Sequence, residues 1–316
     1  MAPHGKKVKN DKKNKKVRRE KKPKGNVEIV WIYAIGKNKR KFYEFHPKFQ
    51  QHIEAAFSEK KKECKLFVSG YTWVINFEKM TKTREGNSVK IRRLARDKLN
   101  PKTVIGINGV VYDKDEGYRQ TDETCHVCLY RPTLPTRIET CGHEFCFMCL
   151  KSNYMMGMEC PTCRARIPSA MFEWPIRNDL DIHMDCPAEY VADCAASFER
   201  GTTGKGTSQA SDTIRRSSRY TRVKYYWIYQ SRTDGWYRYD PKNERYLEES
   251  FMRKKQKCSL FICGYKMDVD FNEWTQVRCD EVHDHKRLVK RVLSTTIDNY
   301  AIKGIAGVRG HVRIIE

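Results

Sequence analysis

Between residues 125 and 163 the chain reads CHVCLYRPTLPTRIETCGHEFCFMCLKSNYMMGMECPTC. Seven of its 13 cysteines fall in this stretch, together with His143. They form four chelating pairs: Cys125-x2-Cys128, Cys141-x-His143, Cys146-x2-Cys149 and Cys160-x2-Cys163. A C-x2-C turn sets two thiolates on one ion with little strain, and structural zinc takes four Cys or His ligands in a tetrahedron. Four pairs therefore predict two zinc ions. Spacing alone leaves open which pairs share a metal.

The elements that must hold these ligands are read from the rest of the chain. Its 316 residues suit two or three domains. A repeat is present. VWIYAIGKNKRKFYEF at 30 is echoed by YWIYQSRTDGWYRY at 226, LFVSGYTWVINFEKM at 66 by LFICGYKMDVDFNEW at 260, and IGINGV at 105 by KGIAGV at 303. Two copies of one module thus flank the cysteine segment. In each, Trp31/Tyr33 and Trp227/Tyr229 alternate as in a strand, and a helix follows with Ile53/Phe57 and Leu247/Phe251 one turn apart on its buried face. A hairpin turns near Gly70 and Gly264, and a basic strand comes next, SVKIRRL or KRLVKRVL. The fold class expected is α+β, a sheet with one packed helix on either side of a zinc-stabilised segment. The expected boundaries are 1–25 for a disordered basic tail, 26–112 and 217–312 for the modules, 120–170 for the zinc segment and 171–216 for a linker region, with 199–212 its most Gly/Ser/Thr-rich part.

The modules resemble the WWE domain, with Trp31, Phe42 and Glu54 at its named positions in the first copy and Trp227, Trp236 and Glu248 in the second. Members of that family bind poly(ADP-ribose) through its iso-ADP-ribose unit. The resemblance implies a ligand site in the second copy at Tyr229, Tyr237, Gln276 and Arg287, with Met267 where binding members carry a hairpin tyrosine. The first copy keeps Tyr33 and Trp73 but has Lys82 for the glutamine and aligns Val89 with the arginine. The chemistry is apt: a pyrophosphate needs a cationic fork and an adenine needs an aromatic face.

The cysteine segment resembles the RING finger, in its order of three Cys, one His and four Cys. The resemblance implies an interleaved pairing, Cys125, Cys128, Cys146 and Cys149 on one zinc and Cys141, His143, Cys160 and Cys163 on the other. It further implies a ubiquitin ligase that orients a charged conjugating enzyme and has no nucleophile of its own. By the same resemblance Val127, Tyr154 or Met155, and Pro161 contact the conjugating enzyme, and Arg164 bridges it to ubiquitin. A RING combined with a WWE module is similar to the Iduna-type poly(ADP-ribose)-dependent ligases, and Lys151 stands where that type contacts the polymer from the RING side. The order WWE–RING–WWE departs from that type, and from Deltex with its two N-terminal modules. The alternative reading is a zinc-binding adaptor for nucleic acid or proteins without ligase activity.

Net charge supports a polyanionic partner, since 62 Lys+Arg face 39 Asp+Glu, a balance of +23. KKNKKVRREKKPK in the first 25 residues is a candidate nuclear import signal or nucleic-acid arm. No signal-peptide pattern and no apolar run approaching the roughly 20 residues of a membrane helix is seen, so a cytoplasmic or nuclear location and no membrane partner are expected. Six cysteines lie outside the cluster, and Cys279 with His283 and His285 is a weak candidate for a third metal.

Overall fold

The computed structural model describes residues 28–35, 40–111, 124–177, 180–186, 224–263, 265–279 and 285–315. The expected basic tail at 1–25 with its import signal, the linker at 199–212, Gly264 and His283 lie outside them. Among the described residues no helix is long and apolar enough to cross a membrane.

The first module runs β1 (Ile29–Ile35), β2 (Lys41–Glu44), α1 (Pro47–Ser58), β3 (Glu63–Val68), β4 (Tyr71–Asn76), β5 (Thr81–Arg84), β6 (Asn87–Ala95), β7 (Val104–Ile107) and β8 (Val110–Val111). After the zinc segment, the second repeats the plan as β11 (Tyr225–Gln230), β12 (Trp236–Arg238), α4 (Pro241–Met252), β13 (Lys257–Ile262), β14 (Tyr265–Asp270), β15 (Thr275–Arg278), β16 (Arg287–Leu293), β17 (Ile302–Ile305) and β18 (Val308–Arg309). Its sheet order is β13-β14-β15-β16-β11-β12-β17-β18, antiparallel except where β12 meets β17. The first sheet has the same order, β3 through β8, with one addition. A final strand β19 (Val312–Ile315) crosses over and pairs antiparallel with β3, the edge of the first sheet.

Local chemistry explains the two helices. Each begins with proline, whose missing N–H costs nothing in the first turn. Each is capped by the residue before, His46 accepting from the Lys48 amide and Asp240 from the Asn243 amide. Ile53 and Leu247 are fully buried. Phe57 departs from the expected inward face: it sits at the rim, edge-on to Trp31 at 5.3 Å and to Phe77 at 5.6 Å, because the central core position is filled by the indole. The modules share one internal clamp. Trp31 Nε1 donates to Glu54 at 2.9 Å, and Arg93, the Cα partner of Trp31 on β6, grips the same carboxylate. Trp227, Glu248 and Arg291 repeat this arrangement. One glutamate thus ties helix to sheet through both an indole and a guanidinium, which gives the repeated Trp and Glu their physical reason.

The zinc segment contains β9 (Pro135–Arg137), β10 (Glu144–Cys146), α2 (Phe147–Met155) and α3 (Ala170–Glu173). It is not a separate bead. Its buried Ile138, Phe145, Phe147, Leu150 and Phe172 belong to one hydrophobic cluster with Tyr226, Ile228, Val292, Ile302 and Val308 of the second module. Residues 175–177 and 180–182 pack between them. The Arg177 amide donates to the Arg309 carbonyl and the Arg309 amide to the Pro175 carbonyl, and Arg177 Nη2 also donates to Thr136 Oγ1 at 2.7 Å. The two modules meet at Lys303, which is wholly buried and donates to Thr233 of the second module at 2.6 Å and Tyr71 of the first at 3.4 Å. Gly70 and Gly235, both at positive φ, leave room for it: a Cβ on Gly70 would lie 2.5 Å from the Lys303 side chain, and one on Gly235 would lie 2.6 Å from the Ala301 carbonyl oxygen.

Candidate metal centre and binding groove

The eight expected zinc ligands come together in two sets. Cys125, Cys128, Cys146 and Cys149 form one, and Cys141, His143, Cys160 and Cys163 the other, with all ligand atoms of a set within 4.8 Å of one another. The interleaved pairing implied by resemblance is therefore the one the fold makes. Tight turns position the donors. The Leu129 amide bonds back to the Cys125 carbonyl at 2.7 Å, and the Arg164 amide to that of Cys160 at 2.9 Å. Leu129 and Arg164 adopt positive φ at the knuckle ends. The Sγ atoms of Cys128 and Cys146 are 3.7 Å apart, and His143 Nδ1 is 3.4 Å from Cys141 Sγ and 3.7 Å from Cys160 Sγ. A tetrahedron with Zn–S bonds of about 2.3 Å has edges of about 3.8 Å. Donor set and spacing both fit zinc. Among the described residues no third cluster of this kind exists, so Cys279 and His285 do not form a further site there.

Four thiolates on one zinc carry excess negative charge, and two donors answer it. The Thr133 amide donates to Cys146 Sγ at 3.2 Å. Lys242, in the first turn of α4, donates to Cys128 Sγ at 2.8 Å while lying 4.8 Å from the Tyr130 ring centre. No sequence signal linked a helix lysine of the second module to this centre; the link spans 114 residues.

The residues expected to meet a conjugating enzyme separate by burial. Val127, Met155, Pro161 and Arg164 are exposed, whereas Tyr154 packs on Phe172 with ring centres 5.0 Å apart. Tyr154 is thus committed to the fold and Met155 is free to face outward. Leu129, not singled out by sequence, is 74% exposed on the same knuckle as Val127. Its hydrophobic character beside the second zinc-ligand cysteine is the signal that could have marked it.

The second module's groove brings together its expected residues. Tyr229 and Tyr237 are Cα partners on β11 and β12, stacked with ring centres 5.9 Å apart. Gln276 and Arg287 are Cα partners on β15 and β16. The buried Tyr239 hydroxyl donates to Gln276 Oε1, fixing the amide's orientation, and Arg287 lies 6.0 Å from the Tyr229 ring centre. Burial pushes the Tyr229 and Tyr239 phenols up, so both stay neutral. Tyr239 was not anticipated. Lys151 stays on α2, its Nζ 5.5 Å from the Phe147 ring centre.

The first module's groove holds something different. Lys82 occupies the Gln276 position, and its Cα partner is Val89, as Arg287 is to Gln276. The Lys82 Nζ sits 4.0 Å from the ring centres of both Tyr33 and Trp73 and 5.5 Å from that of Phe45. Phe45 stands where Tyr239 offers its hydroxyl in the second module. Burial, reinforced by Arg84, lowers the Lys82 pKa to about 7. The ammonium thus fills its own aromatic cage.

Comparison with known proteins agrees with this geometry. Residues 29–94 and 225–291 match the WWE domain, and residues 125–163 match the C3HC4-type zinc finger, or RING finger. The chain is 27% identical to E3 ubiquitin-protein ligase rnf146 of Danio rerio over 185 residues, covering 58% of this chain and 42% of the relative. It is 28% identical to RNF146 of Homo sapiens over the same length, 58% of this chain and 41% of that protein. The chain thus spans about two-fifths of the length of these relatives.

Proposed function

We propose that this chain, in which two WWE domains flank a RING finger, is a RING-type ubiquitin ligase that recognises poly(ADP-ribosyl)ated proteins through its second WWE domain. The observation that carries the reading is the placement of Tyr237, Tyr229, Arg287 and Gln276 on the neighbouring strands β12, β11, β16 and β15 of a module that shares its core with the RING. In this reading Arg287 forks onto a phosphate, the Gln276 amide hydrogen-bonds the adenine or ribose, and the tyrosines stack. Lys151 adds a cation from the RING side. The zinc ions, when bound, fix the knuckles. Val127, Met155 and Pro161 then hold the conjugating enzyme, and Arg164 restrains ubiquitin so that its thioester meets an incoming lysine. Rate comes from orientation, with the nucleophile supplied by the substrate. The proposal places the protein in the cytoplasm or nucleus.

Single-turnover discharge of ubiquitin from a charged conjugating enzyme, with and without iso-ADP-ribose, tests it. Discharge that needs the chain and is lost in Arg164→Ala supports ligase activity. Normal zinc content with no discharge would leave an adaptor. If binding of the polymer instead tracks salt alone and survives Arg287→Ala, the basic segments rather than the groove bind it.

A further inference from the structure

The two modules carry the same edge strand in two states. In the first, β3 is covered by β19, with Val312↔Val68, Arg313↔Phe67, Ile314↔Leu66 and Ile315↔Lys65 as Cα partners. In the second, the corresponding strand β13 ends its sheet, and among the described residues no strand lies beside it. The two strands align without a gap, ECKLFV against KCSLFI, sharing the cysteine, leucine and phenylalanine. Their burial differs at one place. Phe67 is 4% exposed, because the Arg313 guanidinium lies 4.4 Å from its ring centre and His311 packs edge-on. Phe261, its counterpart, is 70% exposed.

Backbone register says which groups are open. The Phe77 amide bonds to the Lys62 carbonyl, and the Phe271 amide to that of Gln256, so the even-numbered residues of β3 and β13 bond inward to the hairpin partner. The Ser69 amide bonds to the His311 carbonyl at 2.7 Å, so the odd-numbered residues of β3 face β19. By the same register Ser259 and Phe261 point their N–H and C=O groups away from β14. An edge with unpaired backbone groups and an exposed aromatic is a template for strand addition.

We propose that β13 is a docking edge for an extended segment of a partner protein, in which an arginine flanked by apolar residues lies over Phe261. The chain supplies the precedent: its own Val-Arg-Ile-Ile strand is seated on the equivalent edge, arginine over phenylalanine and Val312 in the core with Phe49, Ile53 and Ala56. The core of the second module has no counterpart to Val312 among the described residues. Backbone pairing supplies affinity, and the arginine over Phe261 supplies selectivity.

The probe is a fluorescein-labelled peptide of sequence RGHVRII, titrated into the zinc-loaded full chain, with amide hydrogen exchange on both edges. Saturable binding with roughly tenfold slower exchange at Ser259 and Phe261 is expected. Phe261→Asp and Ser259→Pro should each weaken it roughly tenfold while zinc content stays the same. Edge strands accept proline where the N–H faces outward, so the second variant keeps the fold if the first does not. Equal binding of a scrambled peptide would mean that charge alone attracts it and would overturn the proposal. So would protection confined to Glu63–Val68, which means displacement of β19. Protection of β13 before peptide is added overturns it too, because another part of the chain or a second copy then already occupies the edge.

Discussion

At the residue scale, several substitutions separate the two candidate ligand sites. Gln276 is held by the Tyr239 hydroxyl and offers an amide beside Arg287; Lys82 has phenyl, phenol and indole rings around it and Val89 beside it. The isolated modules cannot be taken apart safely, so the expected outcome is stated for the whole chain: calorimetry with iso-ADP-ribose shows one strong site, and Arg287→Ala abolishes it. Losing a charge-assisted bidentate contact costs about 1.5–3 kcal/mol or more. Lys82 carries its own signature in pH. Its folded pKa, about 7, lies below the ordinary 10.5, so between those values the unfolded chain binds a proton that the folded chain does not. Stability contributed at this site is therefore greatest at high pH and falls as pH drops toward 7, then levels off. Denaturant titrations should show this rise with pH, up to roughly 1.4 kcal/mol per pH unit for one proton, flattened in Lys82→Met. An unchanged slope in the variant would remove Lys82 as its source. Both side chains were legible as positions in the repeat, but the cage was not. That Lys82 turns inward depends on the strand register, which places residue 82 on the helix side of β5, and on Phe45 lacking a hydroxyl to claim the space.

At the element scale, the zinc centres and the helices are coupled. Taken as a separate segment at 120–170, the zinc-binding stretch would unfold on chelation and spare both modules. The shared cluster of Phe145, Leu150 and Phe172 with Tyr226, Ile228 and Val308 argues otherwise for the second module. Removing zinc should unfold the RING and lower the melting temperature of the second module more than that of the first, read by tryptophan fluorescence of Trp227→Phe and Trp31→Phe variants. Zinc ligation supplies folding energy to this segment, so its loss spreads to the core residues of the second module that pack on Ile138, Phe145, Leu150 and Phe172. A second coupling is the buried pair Arg238–Glu244, in which Glu244 also accepts the Trp227 amide at 3.0 Å and Arg238 donates to the Ile182 carbonyl. Glu244→Gln should destabilise by about 3–5 kcal/mol, because it strands a fully buried guanidinium. Strands, helices and ligand pairs were readable because periodicity and C-x2-C spacing are local signals. The packing of residues 175–177 and 180–182 was not, since these short mixed stretches carry no period and take their conformation from the two surfaces they join.

At the scale of the whole molecule, the chain reads as three modules in sequence but packs as a closed loop. The first sheet is finished by β19, and Lys303 is sealed between the modules, where its ammonium donates to the Thr233 and Tyr71 hydroxyls. Such a lysine is costly to bury unless the hydroxyls around it are well placed. Lys303→Met should therefore leave each module folded yet change how they associate. Small-angle scattering checks this: an unchanged radius of gyration would mean β19 alone holds them, and an expanded one that the lysine contact contributes. Arg164→Ala, by contrast, should abolish ubiquitin discharge with scattering and zinc content untouched, since it is exposed on a knuckle and packs on neither module.

The crossing strand also sets an order of events in time. The Tyr71–Lys303 contact joins residues 232 positions apart. A ribosome adds roughly 5–20 residues per second. The β3 edge of the first module is therefore made many seconds before the segment that covers it exists. During that interval a hydrophobic edge with Phe67 at its centre stands open on a nascent chain, where a chaperone, a neighbouring nascent chain or a partner strand can reach it first. A module completed by a strand made so much later is exposed to capture during synthesis.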